Sequence, residues 1–307
     1  MFDRALFPTD FSDYASSVLT CLPDLKPAGL RDVVLLHVIR SSDVPMPEAV
    51  NRESLERVRW GAEEHLNIAR MALEGQGLRV RTRIEYGSPA SQIAQVAQDE
   101  LASLIVIGAQ GWTAAQELLM GSVTYELLRR ATVPMLIQKF EVVRELGRVA
   151  CHRVCGQMFA RVLHPTDFSE CADEAYQVVK RLKAAGTQEV TLLHVQDERA
   201  MASRAPQQLA QFEREDTARL KKLARALILF GINAHIRVRQ GIPFQEALKV
   251  AEEEDIGLIV LGSRGRSAIR EAFTGSTFEN VARLSRRPVL VARGRADGAA
   301  AQSGRPL

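Results

Sequence analysis

No apolar run in this sequence approaches the roughly 20 residues that a membrane-crossing helix needs, so no membrane span is expected. The opening stretch, MFDRALFPTDFS, carries an acid early and lacks a continuous apolar segment, so no secretory leader is expected either. Charge of one sign is also scarce. Forty Lys and Arg against 37 Asp and Glu leave a formal +3 over 307 residues, which argues against a nucleic-acid binder. Cysteine occurs four times, at 21, 151, 155 and 171. That is too few for a disulfide scaffold and fits a reducing cytoplasm. CHRVC, Cys151 to Cys155, sets two thiols beside His152. A closed zinc site wants four ligands and no second cluster is visible, so no metal site is assigned and the thiols are read as small apolar side chains.

What the sequence does have is itself, twice. LFPTDFSDYAS (Leu6 to Ser16) matches LHPTDFSECAD (Leu163 to Asp173), and VVLLHV (Val33 to Val38) matches VTLLHV (Val190 to Val195), both at an offset of 157. From Tyr86 and Gln240 onward the offset is 154, and it holds through LIVIG and LIVLG to VPMLI and RPVLV. Matched blocks in one order define a tandem duplication. The expected boundaries are a first domain over 1–140, a connector over 141–157, a second domain over 158–294 and a frayed Gly/Ala-rich tail over 295–307.

Within each repeat, near-continuous Val/Ile/Leu runs of strand length alternate with amphipathic stretches of helix length. Such runs fit strands covered on both faces. The expected fold is α/β: two tandem doubly wound, Rossmann-like domains, each a five-stranded parallel sheet flanked by helices. Ligands of such sheets sit outside the carboxyl ends of the strands. PTDFS, His37-Val38 and Gly108 fall at those ends, as do their partners in the second repeat.

The glycines of GAQGWTAAQELLMGSV (Gly108, Gly111, Gly121) and GSRGRSAIREAFTGST (Gly262, Gly265, Gly275) share one spacing, G-x2-G-x9-G-S. Open backbone N–H groups at a helix start, beside a serine hydroxyl, make an anion site. The same pattern also serves a plain strand-to-helix turn in which Ser122 or Ser276 is only the N-cap. No G-x4-G-K-[ST] and no G-x-G-x-x-G accompany it, so neither a Walker loop nor a dinucleotide fingerprint is present. Asp10 and Asp167, directly after Pro-Thr at a strand end, can accept from sugar hydroxyls, hold Mg²⁺ through water, or cap the helix that follows. His37 and His194 are read as hydrogen-bonded structural residues.

Taken together, the tandem PTDFS, LLHV, G-x2-G-x9-G-[ST] and [RV]-P-[VM]-L set resembles the universal stress protein family in its two-domain form. The resemblance covers both repeats and implies ATP bound at the glycine sequence. It implies that Asp10 and Asp167, with Pro8, Thr9, Pro165 and Thr166, lie near the ribose and any metal, and that Val38 and Val195 lie at the adenine. Gly108, Gly111, Gly121, Ser122, Val123 and Thr124 would hold phosphates in the first repeat. In the second, Gly262, Gly265, Gly275, Ser276 and Thr277 would do so.

The repeats differ where phosphate would sit. Phe278 stands in place of Thr124 and removes a hydroxyl, while Arg264 and Arg266 stand where the first repeat has Gln110 and Trp112. Arginine suits phosphate by charge and fork geometry, so unequal occupancy is expected. The expected function is a cytoplasmic, ATP-binding stress regulator without rapid turnover, since no general base or arginine finger is assignable. The alternative is an interaction module with vestigial sites. Expected partners are adenine nucleotide, the two domains pairing within the chain, and a possible homodimer.

Overall fold

The computed structural model describes residues 1–40, 52–109, 120–145, 148–153, 157–201, 206–263 and 277–293. Two compact units emerge, one built chiefly from residues before Lys139 and one chiefly from His152 onward.

The first unit runs β1 (Arg4–Pro8), α1 (Asp13–Leu19), a 3-10 turn (Leu22–Ala28), β2 (Asp32–Ile39), α2 (Arg52–Glu74), β3 (Arg79–Tyr86), α3 (Pro89–Asp99), β4 (Leu104–Gly108), α4 (Ser122–Arg130) and β5 (Met135–Gln138). Its strands lie in the order β5-β4-β1-β2-β3, all parallel. β6 (Phe140–Glu145) and β7 (Arg148–Arg153) form a separate two-stranded sheet in the stretch read above as a plain connector.

The second unit repeats the plan: β8 (Arg161–Pro165), α5 (Glu170–Arg181), a 3-10 turn (Leu182–Ala185), β9 (Glu189–Asp197), α6 (Glu198–Met201), α7 (Pro206–Leu229), β10 (Asn233–Gly241), α8 (Pro243–Glu253), β11 (Leu258–Gly262), α9 (Thr277–Leu284) and β12 (Val289–Ala292). The order is β12-β11-β8-β9-β10, again parallel. Both units are therefore the doubly wound α/β sheets that the hydrophobic runs imply.

Burial explains the composition of each strand. Central strands are covered on both faces, so Ala5, Leu6, Phe7, Leu104, Ile105 and Val106 are all within 1% of full burial. β3 is the outer strand, and three of its exposed or half-buried positions are Arg79, Arg81 and Arg83. Charge along an outer strand discourages pairing with another sheet. Arg83 is bonded to Glu85 and Glu100, which hold its guanidinium charge and raise its pKa despite partial burial.

One stretch departs from expectation. SDYASSVLTCLPDL has the length of one helix, but α1 stops at Leu19 and a 3-10 turn takes over. Pro23 and Pro27 carry no N–H to continue an α-helical ladder. Gly29 then closes the turn with φ 102, in the left-handed region that glycine supplies most cheaply.

Candidate functional site

Because every strand of a unit is parallel, the carboxyl ends of its strands share one edge. The turn from β1 to α1, the end of β2, the end of β4 and the start of α4 meet there. The turn carries the same construction in both units. Phe11 and Phe168 adopt φ 62 and 59, a conformation rare for bulky residues. The loop is tied at every step. The Phe11 N–H donates to Thr9 Oγ1 at 3.1 Å, and both the N–H and the hydroxyl of Ser12 donate to Asp10 Oδ1, at 3.1 and 2.7 Å. In the second unit the Phe168 N–H donates to Thr166 Oγ1 at 3.1 Å and the Ser169 N–H to Asp167 Oδ1 at 3.0 Å.

The helices are capped by Ser12 and Ser169, each accepting from the N–H three residues on. This corrects the capping role considered for the aspartates. Asp10 and Asp167 sit two residues before the caps and brace them, because a carboxylate on so short a side chain reaches the i+2 N–H more readily than the helix itself.

The histidines at the ends of β2 and β9 hold this turn from the side. His37 Nδ1 lies 2.9 Å from the Thr9 carbonyl and His194 Nδ1 lies 2.8 Å from that of Thr166. Phe11 stacks on His37 at 4.3 Å between centroids, and the His65 ring of α2 lies tilted against the same phenyl ring at 4.9 Å. Phe168 stacks on His194 at 4.7 Å, with the Arg219 guanidinium 5.2 Å from the ring centre. Here the units part. His194 Nε2 approaches Asp216 at 3.3 Å, and Asp216 also accepts from Gln196 at 3.1 Å. The corresponding residues of the first unit are Ala62 and Ile39, which offer no polar group.

Gly108 and Gly262 end β4 and β11 as the hydrophobic runs imply, but for a reason internal to the fold. A Cβ on Gly108 would lie 2.2 Å from the Tyr14 ring, and one on Gly262 would lie 2.5 Å from the Cys171 carbonyl oxygen. Each glycine lets the first helix of its unit lie close on the strand. Tyr14 is anchored by its hydroxyl, which donates to the Gln138 carbonyl at 3.1 Å.

α4 begins at Ser122, and its N-cap is Gly121, not Ser122. Gly121 has φ −56 and ψ 142, a conformation open to any residue, and this N-cap makes no side-chain hydrogen bond to the helix. Ser122 is exposed, Val123 half-buried and Thr124 buried. The Thr124 hydroxyl donates to the Gly108 carbonyl at 3.1 Å, so its proton serves the turn. Val38 is buried and Val195 half-buried on matched strand ends. Pro8, Thr9 and Pro165 are half-buried, Thr166 is buried, and Asp10 is exposed while Asp167 is half-buried. Thr277 opens α9. Gly111, Arg264, Gly265, Arg266, Gly275, Ser276 and Cys155 lie outside the described residues.

Sequence reasoning passed over Phe11, Phe168, His65, Arg219 and Asp216. A signal existed for the phenylalanines, since both repeats keep Phe after Pro-Thr-Asp, but nothing in that identity announces a positive φ.

Parallel five-stranded sheets with a braced Pro-Thr-Asp turn at their carboxyl edge define an α/β protein of the doubly wound class. The sequence matches the universal stress protein family over residues 1–139 and 158–293, and the chain belongs to that family. Universal stress protein MJ0577 of Methanocaldococcus jannaschii is 34% identical over 155 residues, which is 44% of this chain and 96% of that protein. Universal stress protein YxiE of Bacillus subtilis is 27% identical over 146 residues, 45% of this chain and 99% of the relative. The crystal structure of a universal stress protein from Archaeoglobus fulgidus matches with a TM-score of 0.75 at 26% identity, covering 95% of this chain and 99% of that one. The likeness thus extends across both repeats.

Proposed function

We propose that this chain binds an adenine nucleotide, ATP above all, at the carboxyl edge of its first sheet, and acts as a cytoplasmic stress regulator without rapid turnover. The second edge is a weaker or differently tuned site. The observation that carries this reading is the start of α4. Gly121 takes a backbone conformation that needs no glycine, and as the N-cap it brings no side-chain hydrogen bond to the helix end. A glycine there would leave room over the N–H groups of the first turn, which would suit a phosphate. The exposed Ser122 hydroxyl stands beside them.

Asp10 fits the sugar. One carboxylate oxygen is fixed by Ser12, leaving the other to accept from a hydroxyl. Among the described residues no group of three or more His, Cys, Asp or Glu side chains gathers around one point. Mg²⁺ would therefore be held mainly by the phosphates and water, with Asp10 as its protein neighbour. Val38 and Val195 would line the base. The boundaries 1–140 and 158–294 are proposed as the two nucleotide-fold domains.

Gly121→Asp separates a phosphate cradle from a plain turn. An aspartate is a better N-cap than glycine by a few tenths of a kcal/mol, and its charge favours the helix start. It also fills the cradle with negative charge. Titration calorimetry with ATP and Mg²⁺ should show at least a tenfold loss of affinity while the melting temperature holds or rises. Unchanged affinity for ATP would sink the reading.

A further inference from the structure

The two long helices, α2 and α7, are copies of one element, and their buried positions fix the alignment. Leu66 and Leu73 of α2 are buried, as are Leu220 and Leu227 of α7, each pair 154 apart. On the opposite, outward face the copies diverge completely. α2 exposes Trp60 (69%), Ile68 (63%) and Met71 (66%). The same positions of α7 are Arg214, Lys222 and Arg225. The fold therefore accepts charge at all three places, and an apolar stripe on α2 answers to something outside the unit.

Gly61 adds an independent sign. It lies inside a 23-residue helix, where glycine is among the poorest residues. A Cβ there would meet nothing within 4 Å, and α7 carries Glu215 at that position. Neither packing nor backbone conformation within the unit asks for this glycine. What the missing Cβ does allow is a close approach by another surface, directly beside the exposed Trp60.

From these observations we infer that α2 is a self-association face, on which the α2 of a second molecule of this chain packs antiparallel about a twofold axis. The indole of Trp60 in each molecule covers the Gly61 notch of the other. That register also sets Arg57 of each molecule opposite Glu64 of the other, so two opposite-charge contacts flank the crossing. A twofold contact must be self-complementary, and this stretch is: bulk faces a notch and plus faces minus. Ile68 extends the apolar strip beyond the crossing.

The test uses the full chain. Analytical ultracentrifugation of the wild type should show a reversible dimer. Replacing the stripe with its own counterpart from the second unit, Trp60→Arg with Ile68→Lys and Met71→Arg, should yield a monomer with an unchanged far-ultraviolet spectrum. Gly61→Glu, also borrowed from α7, should raise the dissociation constant at least tenfold while the melting temperature holds or rises. A residue needed by the fold gives the opposite pairing. Arg57→Glu and Glu64→Arg should each weaken the dimer, and together in one chain they should restore it. A wild type that stays monomeric at several hundred micromolar overturns the inference. So does a dimer that survives the three-residue exchange, because association then runs through another face.

Discussion

Gly262→Ala should destabilise the second unit by about 3 kcal/mol, and no substitution of the Cys171 side chain should repair it. The added methyl meets the carbonyl oxygen of Cys171 at 2.5 Å and its carbonyl carbon at 2.6 Å. Those atoms belong to the first turn of α5, so relief requires moving a helix off its strand. Overpacking costs of roughly 1–3 kcal/mol are usual, and a backbone obstacle places this case at the upper end. Gly108→Ala provides the contrast. Its methyl meets only side chains, the Tyr14 ring at 2.2 Å and the Val18 methyl at 3.0 Å. Combining it with Tyr14→Ala should recover much of the loss, even though the Tyr14 hydroxyl bond to Gln138 disappears. Hydrogen exchange of the amides in β4 and β11 reads each unit separately. If Cys171→Ala rescued Gly262→Ala as well as Tyr14→Ala rescues Gly108→Ala, the backbone argument would be wrong.

The second large effect is acid sensitivity confined to one unit. His164 is fully buried in β8, where the first unit has Phe7. Its Nδ1 lies 2.9 Å from the Val260 carbonyl, and its Nε2 has no partner. Burial lowers its pKa below the ordinary 6.5, opposed in part by the Val260 bond and by the charges of Asp167 and Asp173. The native state thus holds the neutral ring. As pH falls below about 6.5, the unfolded chain takes up a proton that the folded chain refuses, so stability declines. The slope approaches about 1.4 kcal/mol per pH unit until the lowered native pKa is reached. His164→Phe should flatten that slope and raise the stability of the second unit more at pH 5 than at pH 7. Exchange protection of β8 against β1 at both pH values measures it. Parallel curves for the two proteins would assign the acid sensitivity elsewhere.

Much of this architecture was written plainly in the sequence. The offsets of 157 and 154 located the repeats, and Val/Ile/Leu runs covered on both faces predicted parallel strands because few other structures bury such runs completely. The site was less legible. Spacing singled out Gly121, Ser122 and the two Pro-Thr-Asp turns as candidates, while the packing that Gly108 and Gly262 permit was not legible. Sequence shows a glycine but not which neighbour it spares, and here the neighbour is the unit's own first helix. The division of labour between Asp10 and Ser12 also needed coordinates, since both residue types cap helices and only the path of the backbone decides between them. Trp60 and Gly61 drew no notice, because an outward-facing position on a helix has no signature until its buried face is known.

The braced turn after β1 and β8 has a thermodynamic consequence. Two phenylalanines held at φ 62 and 59 store local strain, and the threonine, aspartate and histidine bonds around them hold that strain in place. A ligand arriving at either edge meets a turn that is already ordered, so little conformational entropy remains to be lost there on association. On the proposed reading, differences in affinity between the two edges would arise from the groups that differ between them, among them Ala62 against Asp216 and His65 against Arg219, while the turn would contribute preorganisation to both.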